Sequence, residues 1–226
     1  MPALQMQPRS PAVEDYLKAI YSLAGRAEGA VATNDLADRL GLSTGSVSAM
    51  IKRLDETGLV RHARYRGVEL TEEGRRVALH VVRRHRLIEL FLAQSLDMPW
   101  EDLHDEAEIL EHAMSDELIE LIAKKLGDPQ VDPHGDPIPT RDLTIEQRAT
   151  EPLAELEPGA RATFVRVSDA HPEMLRYLAD QGIAIGDDLT LIEHQPFDGP
   201  SSVRIGDRTH TLGIKLARAM RVERRR

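Results

Sequence analysis

A proline-rich segment in the middle of the chain limits its possible folds more than any other sequence feature. Residues 127–140 read GDPQVDPHGDPIPT and hold four of the 13 prolines and two glycines. Proline lacks an amide hydrogen and disrupts helices and central strands, so neither element can form here. We expect residues 127–150 to be a linker between a helical part of the chain and a strand-rich part.

The first part of the chain has apolar residues at helical spacing. The segments SPAVEDYLKAIYSLAG, TNDLADRLGL and STGSVSAMIKRLDETGL begin at candidate caps Ser10, Thr33 and Ser43. The last two are short and meet at a glycine-containing turn, which is typical of a helix-turn-helix. The alternating, arginine-rich VRHARYRGVELT predicts a hairpin wing. We therefore interpret residues 1–76 as a winged-helix DNA-binding domain.

Charge is unevenly distributed along the chain. The net charge is −9, but the first 80 residues hold 11 Lys/Arg against 10 Asp/Glu, whereas the rest hold 18 against 28. A chain whose C-terminal part is acidic can still bind phosphates through a locally basic N-terminal part. In the second helix of the turn motif, Val47, Ile51 and Leu54 are expected to face the core. Residues expected to contact DNA are Ser43, Thr44, Ser46, Ala49, Lys52, Arg53, Arg64, Tyr65 and Arg66.

Histidines and carboxylates recur on the helices that follow. Thr71 caps a long helix, EEGRRVALHVVRRHRLIELFLAQSL, in which His85 and Glu89 are four residues apart. The stretch LHDEAEILEHAMSDE opens another helix, which we expect to run to about Leu126. On that single helix His104, Glu108, Glu111 and His112 would share one face. Packed carboxylates repel unless a cation neutralises them, and divalent metals accept such nitrogen and oxygen ligands. His62, His80 and His134 are interpreted as solvated.

The chain beyond residue 150 is rich in short strands. ATFVRVS, DLTLIEH, SSVRIG and THTLG are separated by turn residues, with one helix, PEMLRYLADQG. The pattern predicts a small β-barrel over residues 151–226. No apolar run reaches about 18 residues, so no membrane partner is expected. Cysteine is absent, which excludes disulfides and thiolate sites and suits the cytoplasm.

Other functions remain open at this point. A metallohydrolase could use the His/Glu cluster, although no HExxH motif is present. A metal chaperone or buffer with an incidental helix-turn-helix is a second alternative. The strand-rich part could bind proline-rich peptides, including the chain's own DPIP.

Several of these motifs resemble the diphtheria-toxin-repressor family of metal-dependent transcriptional repressors, including its manganese-responsive branch. The resemblance covers nearly the whole chain and rests on EDYLKAIY, STGSVSAMIKRL, YRGVELTEEGR, RRHRLIELFL, LHDEAEILEHAMSDEL and DPHGDPIP. It implies a mainly α fold with β structure: a winged helix-turn-helix, a helical dimerisation domain over residues 77–126 that carries the metal sites, and a C-terminal SH3-like β-barrel. It also implies a homodimer on a palindromic double-stranded DNA operator, and no enzymatic activity.

The resemblance further implies two metal sites. An ancillary site would contain His85, Glu89 and His104, and an activating site Asp15, Glu108, Glu111 and His112. Iron-type members carry Met and Cys where Asp15 and Glu108 stand, so the hard ligands favour Mn(II). Fe(II) is the alternative metal, and Zn, Co or Cd could substitute. Lys18 replaces a manganese-type Glu and cannot bind a metal, which favours two separate sites. The loop SDAHPEM is where the C-terminal domain would lend ligands, namely His171 and Glu173.

Overall fold

The computed structural model describes residues 10–25, 30–63, 67–146, 148–169 and 171–225, and these form two compact units. One unit contains the described residues up to Arg84 together with Pro139–Thr144. The other contains His85–Ile138 and the described residues from Ile145 onward. The domain boundaries inferred from the sequence stay a prediction. No helix among the described residues is long and apolar enough to cross a bilayer.

The N-terminal unit contains three helices, a hairpin and the start of a long helix. Their bounds are α1 Pro11–Ala24, α2 Thr33–Leu40, α3 Thr44–Glu56, β1 Val60–Ala63, β2 Gly67–Leu70 and α4 Glu72–Leu96. Leu17, Leu36, Ile51 and Leu54 are among its fully buried side chains. The predicted helix-turn-helix and antiparallel wing are confirmed. Ser43 caps α3 as predicted, whereas Ala32 rather than Thr33 precedes α2 as its N-cap residue.

The junction between the wing and α4 is held by a threonine cap and a close backbone approach. Thr71 Oγ1 donates to the carbonyl of Gly58 at 2.8 Å and accepts from the amide of Gly74 at 3.1 Å. A Cβ atom on Gly74 would lie 1.9 Å from the carbonyl oxygen of Leu59. The third residue of α4 therefore has to be glycine for the hairpin to sit this close.

The second unit has a helical layer that differs from the sequence expectation. After α4, the chain forms α5 Leu103–Leu110 and α6 Asp116–Lys125. The predicted single helix from residue 103 to 126 is wrong. Ser115 adopts an extended conformation and its side chain accepts from the amide of Leu118, so it starts a new helix with Asp116 and Glu117 in the first turn. Glu111 caps α5 and His112 lies in the turn that follows.

A six-stranded antiparallel sheet completes the second unit. Its elements are β3 Glu151–Pro152, β4 Arg161–Val167, α7 Pro172–Asp180, β5 Asp188–His194, β6 Ser201–Ile205, β7 Arg208–Leu212, α8 Ile214–Ala219 and β8 Met220–Arg224. The strand order is β3-β8-β4-β5-β6-β7, and no pairing closes β3 on β7 among the described strands. The SH3-like strands are confirmed, and the described strands form an open sheet rather than a closed barrel.

Trp100 connects the helical core of this unit to the core of the sheet. Its ring packs against both apolar clusters, and its Nε1 donates to the carbonyl of Leu175 at 3.1 Å. The helical cluster includes Leu87, Ile88 and Leu103, all fully buried.

Residues 127–138 of the proline-rich segment lie within this unit. Asp132 Oδ1 accepts hydrogen bonds from the amides of His134 and Asp136, each at 2.9 Å, which closes a tight loop. The carbonyl of His134 accepts from the amide of Val167 in β4 at 3.0 Å. Gly135 has a φ of +84°, and a Cβ there would lie 1.9 Å from the carbonyl oxygen of Val165. The loop thus follows the edge of a strand at a distance that a side chain would prevent.

Replacing Gly74 by alanine should destabilise the N-terminal unit. The new methyl group overlaps a backbone carbonyl, and relieving such overpacking costs about 1–3 kcal/mol. Gly45→Ala is the matched control, since Gly45 is also in the first turn of a helix and a Cβ there meets nothing closer than 3.9 Å. Chemical denaturation should show a lower unfolding midpoint for Gly74→Ala only; equal midpoints would contradict the close approach.

Candidate metal centre and nucleic-acid interface

The N-terminal unit presents an exposed helix surface of the kind predicted. Val47, Ile51 and Leu54 of α3 are at most 1% exposed, so the opposite side of this helix faces solvent. That exposed side carries Ser43, Thr44, Ser46, Ala49, Lys52 and Arg53. The small residues at the start of the helix leave its first turn open to close approach by a partner. Arg64, Tyr65 and Arg66 of the predicted wing tip lie outside the described residues.

Hydrogen bonds within the first turn organise this surface. Ser43 Oγ accepts from the amide of Ser46 at 3.2 Å and lies 2.9 Å from Ser46 Oγ. The amide of His62 in β1 donates to Asp55 Oδ1 at 3.1 Å, which attaches the hairpin to α3. Helix and wing are therefore positioned together as one surface.

A convergent set of imidazoles and carboxylates lies in the second unit. Four donor atoms lie within 4.8 Å of one another, one each from His85, Glu89, His104 and Asp169. His85 Nε2 is 3.2 Å from Glu89 Oε1 and 3.1 Å from His104 Nδ1. His104 Nδ1 is in turn 3.2 Å from Asp169 Oδ2. The set combines residues from α4, α5 and the loop after β4.

A short hydrogen bond determines which nitrogen of His85 faces this set. His85 Nδ1 lies 2.6 Å from Glu111 Oε2, and Glu111 is completely buried. A carboxylate only accepts, so Nδ1 carries a proton, and in the neutral ring this leaves the lone pair of Nε2 towards the cluster. A carboxylate behind the histidine is the arrangement that orients imidazole ligands of metals.

The pKa values of the two buried carboxylates in the set are lowered. Burial raises the pKa of Asp169, but contact with His104 and the charge of His134 lower it further than burial raises it, leaving it well below the ordinary value. Burial likewise raises the pKa of Glu89, and the interaction with His85 outweighs it. Both groups are therefore carboxylates near neutral pH, and carboxylate oxygens with imidazole nitrogens suit a divalent metal.

The remaining predicted ligands are distributed as follows. Glu108 Oε1 lies 3.6 Å from His104 Nε2, and His112 Nε2 lies 3.5 Å from Glu111 Oε1. Glu108 and Glu111 also form a second group of donors with His85. Asp15 is half-buried in α1 of the N-terminal unit. The activating set therefore stays a prediction.

The C-terminal ligands expected from the sequence are not brought to the cluster. His171 and Glu173 contact each other at 3.4 Å, and both side chains are more than half exposed. Asp169, two residues earlier, occupies the place instead, because His171 is the N-cap residue of α7 and the chain has already turned away there. The predicted loop thus holds three potential ligands within five residues, and residue type alone does not distinguish among them.

His134 was also missed. Its side chain is 1% exposed, not solvated, and its Nδ1 lies 3.8 Å from Glu89 Oε1. In the sequence, His134 stands between a proline and a glycine in DPHGDPIP. Proline restricts the backbone there, which limits the directions that the His134 side chain can take.

Comparison with known proteins covers nearly the whole chain. Residues 10–68 match the family model "Iron dependent repressor, N-terminal DNA binding domain". Residues 71–140 match "Iron dependent repressor, metal binding and dimerisation domain", and residues 151–224 match the FeoA domain. The order of the three matches follows the order of the winged helix, the helical layer and the sheet.

Individual relatives agree with these matches. The chain is 34% identical to the iron-dependent repressor IdeR of Mycobacterium tuberculosis, covering 93% of this chain and 96% of that protein. It is 33% identical to the diphtheria toxin repressor of Corynebacterium glutamicum, over 89% and 95% of the two chains. A solved manganese-dependent transcriptional repressor in complex with manganese superposes with a TM-score of 0.89 at 43% identity, over 94% of this chain and all of that one. The chain therefore belongs to the diphtheria-toxin-repressor family and is a metal-dependent, DNA-binding transcriptional repressor.

Proposed function

We propose that the chain represses metal-homeostasis genes with Mn(II) as its corepressor, Fe(II) being the second candidate and Zn, Co or Cd able to substitute. The observation that carries this proposal is the convergence of His85, Glu89, His104 and Asp169 within 4.8 Å. Five of the eight proposed ligands are carboxylates, and the chain has no cysteine that would favour softer metals. The likeness to a manganese-dependent repressor supports the same choice.

Two metal sites have separate roles in this proposal. His85, Glu89, His104 and Asp169 form the ancillary site, in which Asp169 replaces His171 and Glu173. Asp15, Glu108, Glu111 and His112 form the activating site. A divalent cation supplies the positive charge that offsets three clustered carboxylates. Because Asp15, Glu108 and Glu111 repel one another, the conformation that brings them together is populated only with that charge present, and this is the conformation that binds DNA.

We infer that the repressor reads a palindromic operator as a homodimer. Ile109, Leu118 and Leu121 on α5 and α6 are 68%, 42% and 64% exposed, and they supply apolar area for a second copy. Two copies present two α3 helices, and a two-fold protein matches a palindrome with half-sites one helical turn apart. Ser46 and Ala49 would face base edges, and Lys52 and Arg53 the phosphates. Acting on chromosomal operators places the protein in the cytoplasm.

Removing an activating ligand should abolish metal-stimulated DNA binding. Glu108→Ala or His112→Ala removes a proposed ligand of the activating cation, so the cation no longer favours the DNA-binding conformation. Glu106→Ala is the matched control, since Glu106 is an exposed acid on the same helix. A gel shift on DNA upstream of the protein's own or a metal-transporter gene, with and without Mn(II), makes the comparison.

The same gel shift tests the proposed function as a whole. Chelator-treated wild-type protein should bind the operator weakly and regain binding when Mn(II) is added. Equal binding with and without chelator would contradict metal control. Anaerobic titrations with Mn, Fe, Co and Zn, with circular dichroism to verify folding, identify the corepressor; a response to Fe(II) alone would overturn the choice of manganese.

Arg53→Ala should weaken binding to all DNA sequences alike. Loss of one phosphate contact lowers the slope of log affinity against log salt by about 1. Arg208→Ala in β7 is the control, being an exposed arginine far along the chain from α3. Fluorescence anisotropy on operator and random DNA at several salt concentrations measures both slopes; an unchanged slope for Arg53→Ala would exclude it from the phosphate contacts.

Asp169→Ala should weaken Mn(II) binding at the ancillary site by about tenfold or more, the cost typical of altering a metal's ligand environment. His171→Ala should leave it unchanged, since this side chain is exposed and contacts Glu173 instead. Isothermal titration of each variant with MnCl₂ distinguishes the two. A loss of Mn(II) affinity in His171→Ala alone would contradict this assignment and support His171 as the ligand, as expected from the sequence.

A further inference from the structure

An acid in the last turn of α3 stands where electrostatics disfavours a negative charge. Asp55 lies one residue before the end of the helix at Glu56, and it is exposed. The C-terminus of a helix carries partial negative charge, which repels a carboxylate. The same helix carries Lys52 and Arg53, which the proposed function directs at DNA phosphates, and phosphates also repel a carboxylate. Both repulsions disfavour Asp55, so the contact that its side chain makes is informative.

The carboxylate of Asp55 binds the outer edge of the wing. The amide of His62 in β1 donates to Asp55 Oδ1 at 3.1 Å. On the other side of the hairpin, β2 is joined to Val31: the amide of Val31 donates to the carbonyl of Val68, and the amide of Val68 donates to the carbonyl of Val31, each at 2.9 Å. β1 is therefore the outer strand of this small sheet among the described strands. A side chain of α3 binds its outward amide.

Apolar packing holds only the first residue of β1. Val60 is 2% exposed and belongs to the apolar core of the N-terminal unit. Arg61, His62 and Ala63 are exposed. Beyond Val60, the hydrogen bond that joins β1 to α3 among the described residues is the one from His62 to Asp55. This bond therefore sets the direction in which the wing extends from the helix.

We propose that Asp55 is a positioning residue for DNA binding. Through the backbone of His62 it fixes the angle between α3 and the wing, so that both elements meet the DNA backbone at once. The inference rests on the proposed function, in which α3 contacts the operator. Arg61 is exposed and adjacent to His62 in β1, so its distance from the phosphates depends on this angle. Asp55 itself does not touch DNA.

The contact to the wing needs an acceptor oxygen at position 55 and no negative charge. An asparagine offers a side-chain oxygen at the same place, whereas an alanine offers no acceptor. Asp55→Asn therefore keeps the hydrogen bond and removes the repulsion from phosphates, so it should bind DNA at least as tightly as the wild type. Asp55→Ala removes the repulsion too, but it releases the wing. The two substitutions separate the hydrogen bond from the charge.

The experiment measures DNA binding of the full-length protein in saturating MnCl₂ by fluorescence anisotropy at several salt concentrations. Asp55→Ala should bind operator and random DNA more weakly, with the slope of log affinity against log salt lowered by about 1, because a phosphate contact of the wing is lost. Asp55→Asn should keep the wild-type slope. Glu56→Ala is the matched control and should not weaken binding, since Glu56 is the neighbouring exposed acid and pairs with Lys52 at 3.8 Å.

A double substitution distinguishes the position of the wing from general stability. Arg61→Ala should lower the slope by about 1 in the wild-type background. It should cause no further change in the Asp55→Ala background, because the wing is already displaced there. Amide hydrogen exchange measured by NMR should be faster at His62 in Asp55→Ala and unchanged in Asp55→Asn. Asp55 is exposed, so both variants should fold, which circular dichroism verifies.

Three results would overturn the inference. They are an unchanged slope for Asp55→Ala, equal losses of affinity in Asp55→Ala and Asp55→Asn, and an Arg61→Ala effect that is absent in the wild type or undiminished in Asp55→Ala. Each can occur while the wild type binds its operator with MnCl₂ and Arg53→Ala lowers the slope, and the proposed function then stands. A wild type that does not respond to MnCl₂ would overturn the proposed function itself, and the inference with it.

Discussion

The hydrogen bond between His85 and Glu111 is the contact on which the rest of the histidine and carboxylate cluster depends. It joins the middle of α4 to the end of α5 at 2.6 Å and buries the Glu111 carboxylate completely. A buried carboxylate is costly unless it is paired, so this bond stabilises the packing of the two helices. It also fixes the tautomer of His85, which leaves Nε2 available beside Glu89 and His104. One contact thus links helix packing to ligand chemistry. In the proposed function Glu111 is a ligand of the activating site and orients His85, a ligand of the ancillary site.

The proline-rich loop is the second structural element of the centre. Asp132 closes it through two amide hydrogen bonds, and Gly135 lets it approach β4 where a side chain would collide. Burial, with the neighbouring Asp136 carboxylate, raises the pKa of Asp132, while Arg86 opposes the shift. Arg86 also donates to the carbonyl of Pro137 and contacts Asp136 at 3.3 Å. The loop is therefore held by charge as well as by backbone geometry, next to the helix that carries His85 and Glu89.

Local sequence rules accounted well for the DNA-reading unit. The apolar spacing of Val47, Ile51 and Leu54 predicted the buried side of α3, and Ser43 was recognisable as its cap. The hairpin and the start of α4 at Thr71 followed from alternation and capping in the same way. These features are local because helix periodicity, caps and turns involve residues a few positions apart. In the C-terminal sheet the strands with alternating apolar residues were also predictable, whereas β3, with two residues, and the charged β8 were not.

Residue types and spacing along the chain were enough to predict the helix-turn-helix, the family and the group of histidines and carboxylates from which the proposed ligands come. They also singled out the SDAHPEM loop, which contains Asp169. Tertiary structure decided that Asp169 and not His171 enters the cluster, that His134 is buried, and that Ser115 divides the predicted helix in two. The physical reason is that a ligand set is defined by donor atoms a few ångströms apart, and residues 85, 104, 134 and 169 approach one another only through the packing of helices, loop and sheet.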